Sequence, residues 1–222
     1  MASEVDICNL ALSHLGDEAT VAVIDPPEDS PQAGYCARFY PIARDSLLEM
    51  HTWRFATKRV SLAANPTAPS TWQYSYAQPS DLIKHIAILS PDAPDDLSAE
   101  LIIGDPPFNL PKSGAGLYTP QPFTTEAADD GSLIILTNQA EATLRYIYRC
   151  VDPVRFSPLF IEALSRLLAS YLAGPILKGD VGRAEAKAQL QSFAFVMGKA
   201  ASSDATQRNV KPQQNVPWIT GR

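Results

Sequence analysis

Cysteine is scarce in this chain, with three residues in 222, Cys8, Cys36 and Cys150. An odd number at such wide spacing argues against a disulfide framework or a CxxC metal pair, and it predicts buried free thiols. Histidine is equally rare. His14, His51 and His85 stand apart, and no HExxH, GxSxG or Walker-type pattern accompanies them, so the sequence offers no nucleophile with its base and no metal ligand set. The expectation is a protein with no catalytic residue, no metal and no cofactor. Basic charge is also short: 18 Lys and Arg stand against 24 Asp and Glu, for a net charge of -6. That balance argues against a main task of gripping nucleic acid by its phosphates. A positively charged leader is lacking, because Glu4 and Asp6 occupy its place. A long hydrophobic run is lacking too: the longest uncharged helical stretch, Leu167 to Leu177, is interrupted at Gly174-Pro175 and falls short of a membrane span. Together these predict a soluble product made inside the cell, with no membrane partner. No internal repeat of fixed period occurs.

What is present is an ordinary globular composition, 45% hydrophobic and 19% charged, in a length that suits one domain or one domain carrying a small second one. The stretch from Gln32 to Leu62 reads as a long helix running into an aromatic and basic segment. Cys36, Phe39, Tyr40, Ala43, Leu47 and Met50 recur at three- and four-residue intervals along one side. Pro41 deletes a hydrogen bond and is expected to kink or split that helix; the alternative is a start at Tyr40. Trp53 and Phe55 follow as packing anchors, each able to bury about 150–250 Å², while Arg54, Lys58 and Arg59 stay outside or bind carboxylates.

Ahead of this helix, Ser3 opens a Ser-x-x-Asp capping box before Ile7, Cys8, Ala11, Leu12 and Leu15, and Gly16 stops the turn. Val21 to Ile24 forms a brief strand or extended link. From Asn65 to Pro153 the helical period gives way to short β-like runs: Ile83 to Leu89, Glu100 to Ile103, Ser132 to Thr137 and Ala142 to Tyr148. The last two read as a hairpin across Asn138-Gln139, with Leu144, Tyr146 and Tyr148 on one buried face. Asp129-Asp-Gly131 marks a further turn, and Pro106 to Pro122 a long loop. Helix returns at Ser157-Pro158. Phe160, Ile161, Leu164, Leu167, Leu168, Tyr171 and Leu172 make that helix central to the core. After Gly174-Pro175 and Gly179, Asp180 caps a final helix with Ala186, Leu190, Phe193 and Met197 inward. The fold class is therefore α+β, mainly α: helices at 1–64, a β-rich insertion at 65–153, helices at 154–200 and an extended tail at 201–222.

Three local features suggest contacts. Gly114-Ala-Gly116 lacks the strand and helix that frame a nucleotide loop and reads as loop. Asp92, Asp95, Asp96 and Glu100 read as a solvated acidic run. Arg54, Lys58 and Arg59 are a compact cationic cluster beside aromatics, either salt-bridged to acidic neighbours or touching nucleic acid. A fourth feature is Trp218: burying its side chain is worth roughly 4–6 kcal/mol gross, so a polar tail ending in it suggests a docking segment.

The ordered set Ile7-Cys-Asn-Leu-Ala-Leu-Ser-His-Leu-Gly16, Ala43-Arg-Asp-Ser-Leu-Leu48, Trp53-Arg-Phe-Ala56-x-x-Arg59-x-x-Leu62, Trp72-Gln-Tyr-Ser-Tyr-Ala-x-Pro79-x-Asp81, Leu144-Arg-Tyr-Ile-Tyr148, Asp152, Phe156-Ser-Pro-x-Phe160-x-x-Ala163-Leu164 and Trp218-Ile-x-x-Arg222 spans nearly the whole chain. It resembles the head-to-tail adaptor (connector) proteins of tailed bacteriophages, the tail tubular protein A type. Gln78, where the family pattern has leucine, and Tyr40-Pro41 depart from that pattern. The resemblance implies a helical bundle with a β-rich insertion, assembled as a dodecameric ring beneath the portal protein and offering a platform to a downstream tail or nozzle protein. Genomic DNA would pass through the lumen without sequence-specific binding, and an acidic average charge suits a wall along which DNA slides. The implied location is the head-tail junction of the virion, after synthesis in the host cytoplasm. The resemblance assigns portal docking to Pro217, Trp218, Ile219 and Arg222; the sequence assigns packing between helices or subunits to Trp53, Arg54, Phe55 and Arg59. The rival readings are a tail-associated peptidoglycan hydrolase, an activity described for some relatives, and a DNA-contacting protein acting through Arg54, Lys58 and Arg59.

Overall fold

A computed structural model of the chain describes residues 2–18, 20–65, 71–91, 121–128 and 130–207. Among the described residues it is a mixed α/β protein with four helices and two antiparallel sheets, about half helical. The helices are α1 (Glu4–His14), α2 (Pro31–Met50), α3 (Pro158–Leu177) and α4 (Gly179–Thr206). The strands are β1 (Thr57–Ser61), β2 (Ala64–Asn65), β3 (Tyr74–Ala77), β4 (Leu82–Leu89), β5 (Phe123–Ala127), β6 (Leu133–Thr137) and β7 (Thr143–Tyr148). The chain divides into two compact units. Residues up to 57 and 147–207 form the first, which holds all four helices, and 58–146 belong to the second, which holds most of the strand residues.

In the first unit, α1 opens with the full capping box: Asp6 N–H donates to Ser3 Oγ and Ser3 N–H to the Asp6 carboxylate, satisfying two donors that a helix start leaves open. Helix α2 runs unbroken through Pro41, so the split and the start at Tyr40 are both corrected. Its helix ends at Met50, and β1 begins at Thr57, well inside the stretch read as helical. The buried side of α2 is Ala33, Cys36, Tyr40, Ala43, Arg44, Leu47 and Leu48. Met50 is half exposed, because the chain turns extended at His51 and Trp53 covers that end of the helix instead.

Helix α3 packs against the other three helices and buries Phe160, Ala163, Leu164, Leu167, Leu168 and Leu172, among others. The expected break at Gly174-Pro175 is not there. Pro175 lacks only the N–H that would bond Tyr171, and the helix continues two residues further. The real break is at Lys178 and Gly179, both with positive φ (55° and 58°), so Asp180 sits in the first turn of α4 and Lys178 at its cap. Continuity makes α3 long and apolar enough to cross a membrane, with mean hydropathy 1.3, and half of that stretch is buried inside the protein. Helix α4 reaches Thr206, so residues 201–206 are helical where an extended tail was expected. Alanine-rich sequence favours this, and Asp204, buried at that end, fixes it.

In the second unit the strand order is β1-β7-β4 in one sheet and β2-β3-β6-β5 in the other. The expected hairpin between β6 and β7 does not form. Strand β6 is paired on both edges, to β3 (Ser75 opposite Leu136) and to β5 (Thr125 opposite Ile135), so no edge is left for β7. Ile134, Ile135, Leu136 and Thr137 are all buried, as suits a central strand. The link between β6 and β7 is held by Tyr76, whose hydroxyl donates to Gln139 O and accepts from Ala142 N–H, and by Asn138 Oδ1, which accepts from Gln73 N–H. A hairpin joins β5 to β6 instead, with Asp130 Oδ1 accepting from Ser132 N–H and Oγ and Gly131 at φ 80°. Those serine contacts hold the Asp130 carboxyl below its usual range.

Candidate interaction surface

The segment after α2 is the tightest knot of the first unit. Trp53 is fully buried, edge-on to Phe160 at 4.9 Å and to His51 at 4.8 Å. Phe55 meets Phe160 at 4.9 Å and Phe156 at 5.6 Å. The indole Nε1–H donates to Leu47 O at 2.8 Å, one of the last carbonyls of α2, which lack a partner within their own helix. Trp53 therefore caps α2 as well as packing beneath it. Arg54 turns outward, to Asp204 and Ala205 at the end of α4. Arg59 is exposed and lies on β1. Of the four residues read as packing elements, Trp53 and Phe55 pack within the chain and Arg54 forms a polar contact to α4.

Helix α4 buries a narrow seam: Gly182, Gln189, Phe193, Val196, Ala200 and Asp204. Of the residues expected inward, Phe193 is buried and Leu190 is 50% exposed. The true seam has the same three- and four-residue spacing but includes Gln189 and Asp204, which a hydrophobic pattern rejects. Gln189 is held by Arg166 Nη1 and by the carbonyl of His14. The other side of α4 carries Phe195, 66% exposed, and Val181, two heptads apart and so on one side of the helix. The Lys199 ammonium lies 4.2 Å above the Phe195 ring, a cation–π contact. Beside Phe195 is a groove of about 510 Å³ between α3 and α4, lined by Leu159, Glu162, Arg166, Val196 and Lys199 among others. A shallower depression of about 550 Å³ continues over Gly198, Ser202, Ser203 and Thr206. Phe195 stands exposed between these two hollows.

The histidines are placed structurally. Ser165 Oγ lies 2.8 Å from Glu162 O, to which it donates, and 3.1 Å from His14 Nε2, the roles in that second contact following the imidazole tautomer. Ser165 is fully buried. Burial, with Arg166 nearby, holds the His14 pKa below its ordinary value, and burial does the same to His85, which faces Phe123. All three thiols are free and buried; the neighbouring Cys36 and burial push the Cys8 thiol up. Among the described residues no group of three His, Cys, Asp or Glu is placed to hold a metal.

Two of the basic trio bind carboxylates, one of the alternatives offered by the sequence. Arg54 reaches Asp204, and Lys58 donates to Asp81 at 2.7 Å, where Tyr146 also donates to the carboxylate at 2.9 Å. Asp81 joins β1, β7 and the approach to β4 in this way. Burial pushes its pKa up, but the bonds from Lys58 and Tyr146 prevail and hold it below the usual range. The docking residues Pro217, Trp218, Ile219 and Arg222, the acidic run with Glu100 to Ile103, and Gly114-Ala-Gly116 lie outside the described residues, as does most of the Pro106 to Pro122 stretch. No protein-family model matches the chain, and no curated protein matches it.

Proposed function

We propose that this chain is a structural connector, a ring-forming subunit of the joint between head and tail of a tailed bacteriophage. Its segment Pro217, Trp218, Ile219 and Arg222 docks to the portal protein, and its outer surfaces carry neighbouring subunits and the next tail component. The observation that carries this reading is the outer side of α4, where Phe195 stands 66% exposed between two hollows. A protein that works by fitting surfaces together needs such features, and a ring multiplies each modest contact into a durable joint. The order of sequence motifs across the chain supports the same reading. Arg54 and Lys58 already engage Asp204 and Asp81, which weakens the alternative of DNA contact through them.

The test uses DNA-filled heads lacking the connector. A variant without Val216 to Arg222 is expected to keep its circular dichroism spectrum and lose attachment; attachment equal to that of the full chain refutes the docking role. Phe195→Asp is expected to leave the isolated subunit folded and to block ring assembly on heads, and complete rings from that variant refute the role of α4.

A further inference from the structure

Beyond Ala200, Asp204 is the one side chain of α4 that is buried as far as Gln207. Every other side chain in those final two turns is exposed or half-exposed, so apolar packing does little to hold them. A carboxylate is also poorly placed there, because the C-terminal end of a helix carries partial negative charge, and α4 has no basic residue in its last turn. What holds Asp204 comes from the segment after α2. Arg54 N–H donates to Oδ1 at 3.3 Å, the Arg54 Nε lies 4.0 Å from Oδ2, and His51 Nε2 lies 3.4 Å from the same oxygen. The His51 contact is within ion-pair range but lacks hydrogen-bond geometry. Arg54 Nη2 also reaches the carbonyl of Ala205 at 3.5 Å, one of the carbonyls a helix end leaves without a partner. Arg54 thus neutralises the misplaced acid and caps the helix from another part of the chain.

We propose that residues 201–207 form a detachable latch, locked by the Asp204 carboxylate between Arg54 and His51, and that the closed latch supports attachment by the tail segment that follows it in sequence. The part concerning the tail rests on the connector reading; the latch itself does not. An element held by one polar clasp opens separately from a helix body held by buried apolar side chains.

Amide hydrogen exchange on the full-length protein tests it. Asp204→Asn keeps the size of the side chain and removes the charge. Exchange at 201–207 is expected to rise about tenfold or more, with 182–196 unchanged. Arg54→Gln, at a side chain about a third exposed, is expected to do the same, and the double variant to add little, since both changes open one lock. Unchanged exchange in Asp204→Asn, or a rise spread evenly over α4, overturns the latch. Attachment to filled heads is then measured on the same variants. Weakened attachment in Asp204→Asn supports the role at the tail, and attachment equal to wild type overturns that role. Failure of the connector reading is read separately, from the variant lacking Val216 to Arg222.

Discussion

Replacing Trp53 tests whether the segment after α2 organises the first unit as the geometry implies. Its side chain is fully buried among Phe160, Phe55 and His51. Large-to-small changes at such sites cost about 3–5 kcal/mol. Trp53→Ala also strips Leu47 O of its donor, and a buried carbonyl left unpaired costs about 1–3 kcal/mol more. Trp53→Phe keeps most of the apolar volume and removes the same donor, so its expected loss is about 1–3 kcal/mol. The two variants therefore separate packing from capping. Because all four helices lie in the first unit, ellipticity at 222 nm during urea unfolding reports mainly that unit. With a slope of about 2 kcal/mol/M, Trp53→Phe is expected to move the midpoint down by about 1 M and Trp53→Ala by roughly twice that or more. A loss below about 1 kcal/mol for Trp53→Ala refutes the anchoring role. Equal stability of Trp53→Phe and wild type refutes the cap.

Two further outcomes follow from single contacts. A Cβ on Gly182 would stand 2.8 Å from the Ala173 carbonyl oxygen, so Gly182→Ala is expected to cost about 1–3 kcal/mol by urea unfolding, whereas helix propensity alone predicts a gain of about 1 kcal/mol; a stabilised variant refutes the close crossing of α3 and α4. The folded pKa of Asp81 is held below 3.8, so its contribution is present above that pH and is lost as pH falls through the folded value; the stability gap between wild type and Asp81→Asn is expected to close on acidification, and a gap that persists unchanged into strong acid refutes the Lys58–Asp81–Tyr146 linkage.

The parts of the fold that were legible in the sequence are those fixed by local chemistry. The Ser3–Asp6 capping box, the Ser157 cap before Pro158 and the central place of α3 follow from residues within a few positions of one another. The misread parts depend on partners distant in sequence. Asn138-Gln139 looks like a hairpin turn, but β3 and β5 arrive from elsewhere to occupy both edges of β6, and β5 itself, Phe-Thr-Thr-Glu-Ala, has too little apolar character to announce a strand. The seam of α4 escaped because Gln189 and Asp204 are polar, and each is buried only because Arg166, Arg54 and His51 reach it from other helices or loops. Phe195 was not singled out in the sequence, because its exposure is visible only once the seam of α4 is known.

These two failures share a physical origin that bears on the candidate surface. Helix α4 buries polar Gln189 and Asp204 beside apolar Phe193, Val196 and Ala200, while Phe195 and Val181 face outward. The short run from His51 to Phe55 consequently serves two elements. Trp53 closes the end of α2 and packs on Phe160 of α3, while His51 and Arg54 hold the end of α4. Arg54 is thus the residue that ties the end of α4 to the segment anchoring α2 and α3, through side-chain contacts separate from those of Trp53, so the end of α4 can open while Trp53 keeps its packing.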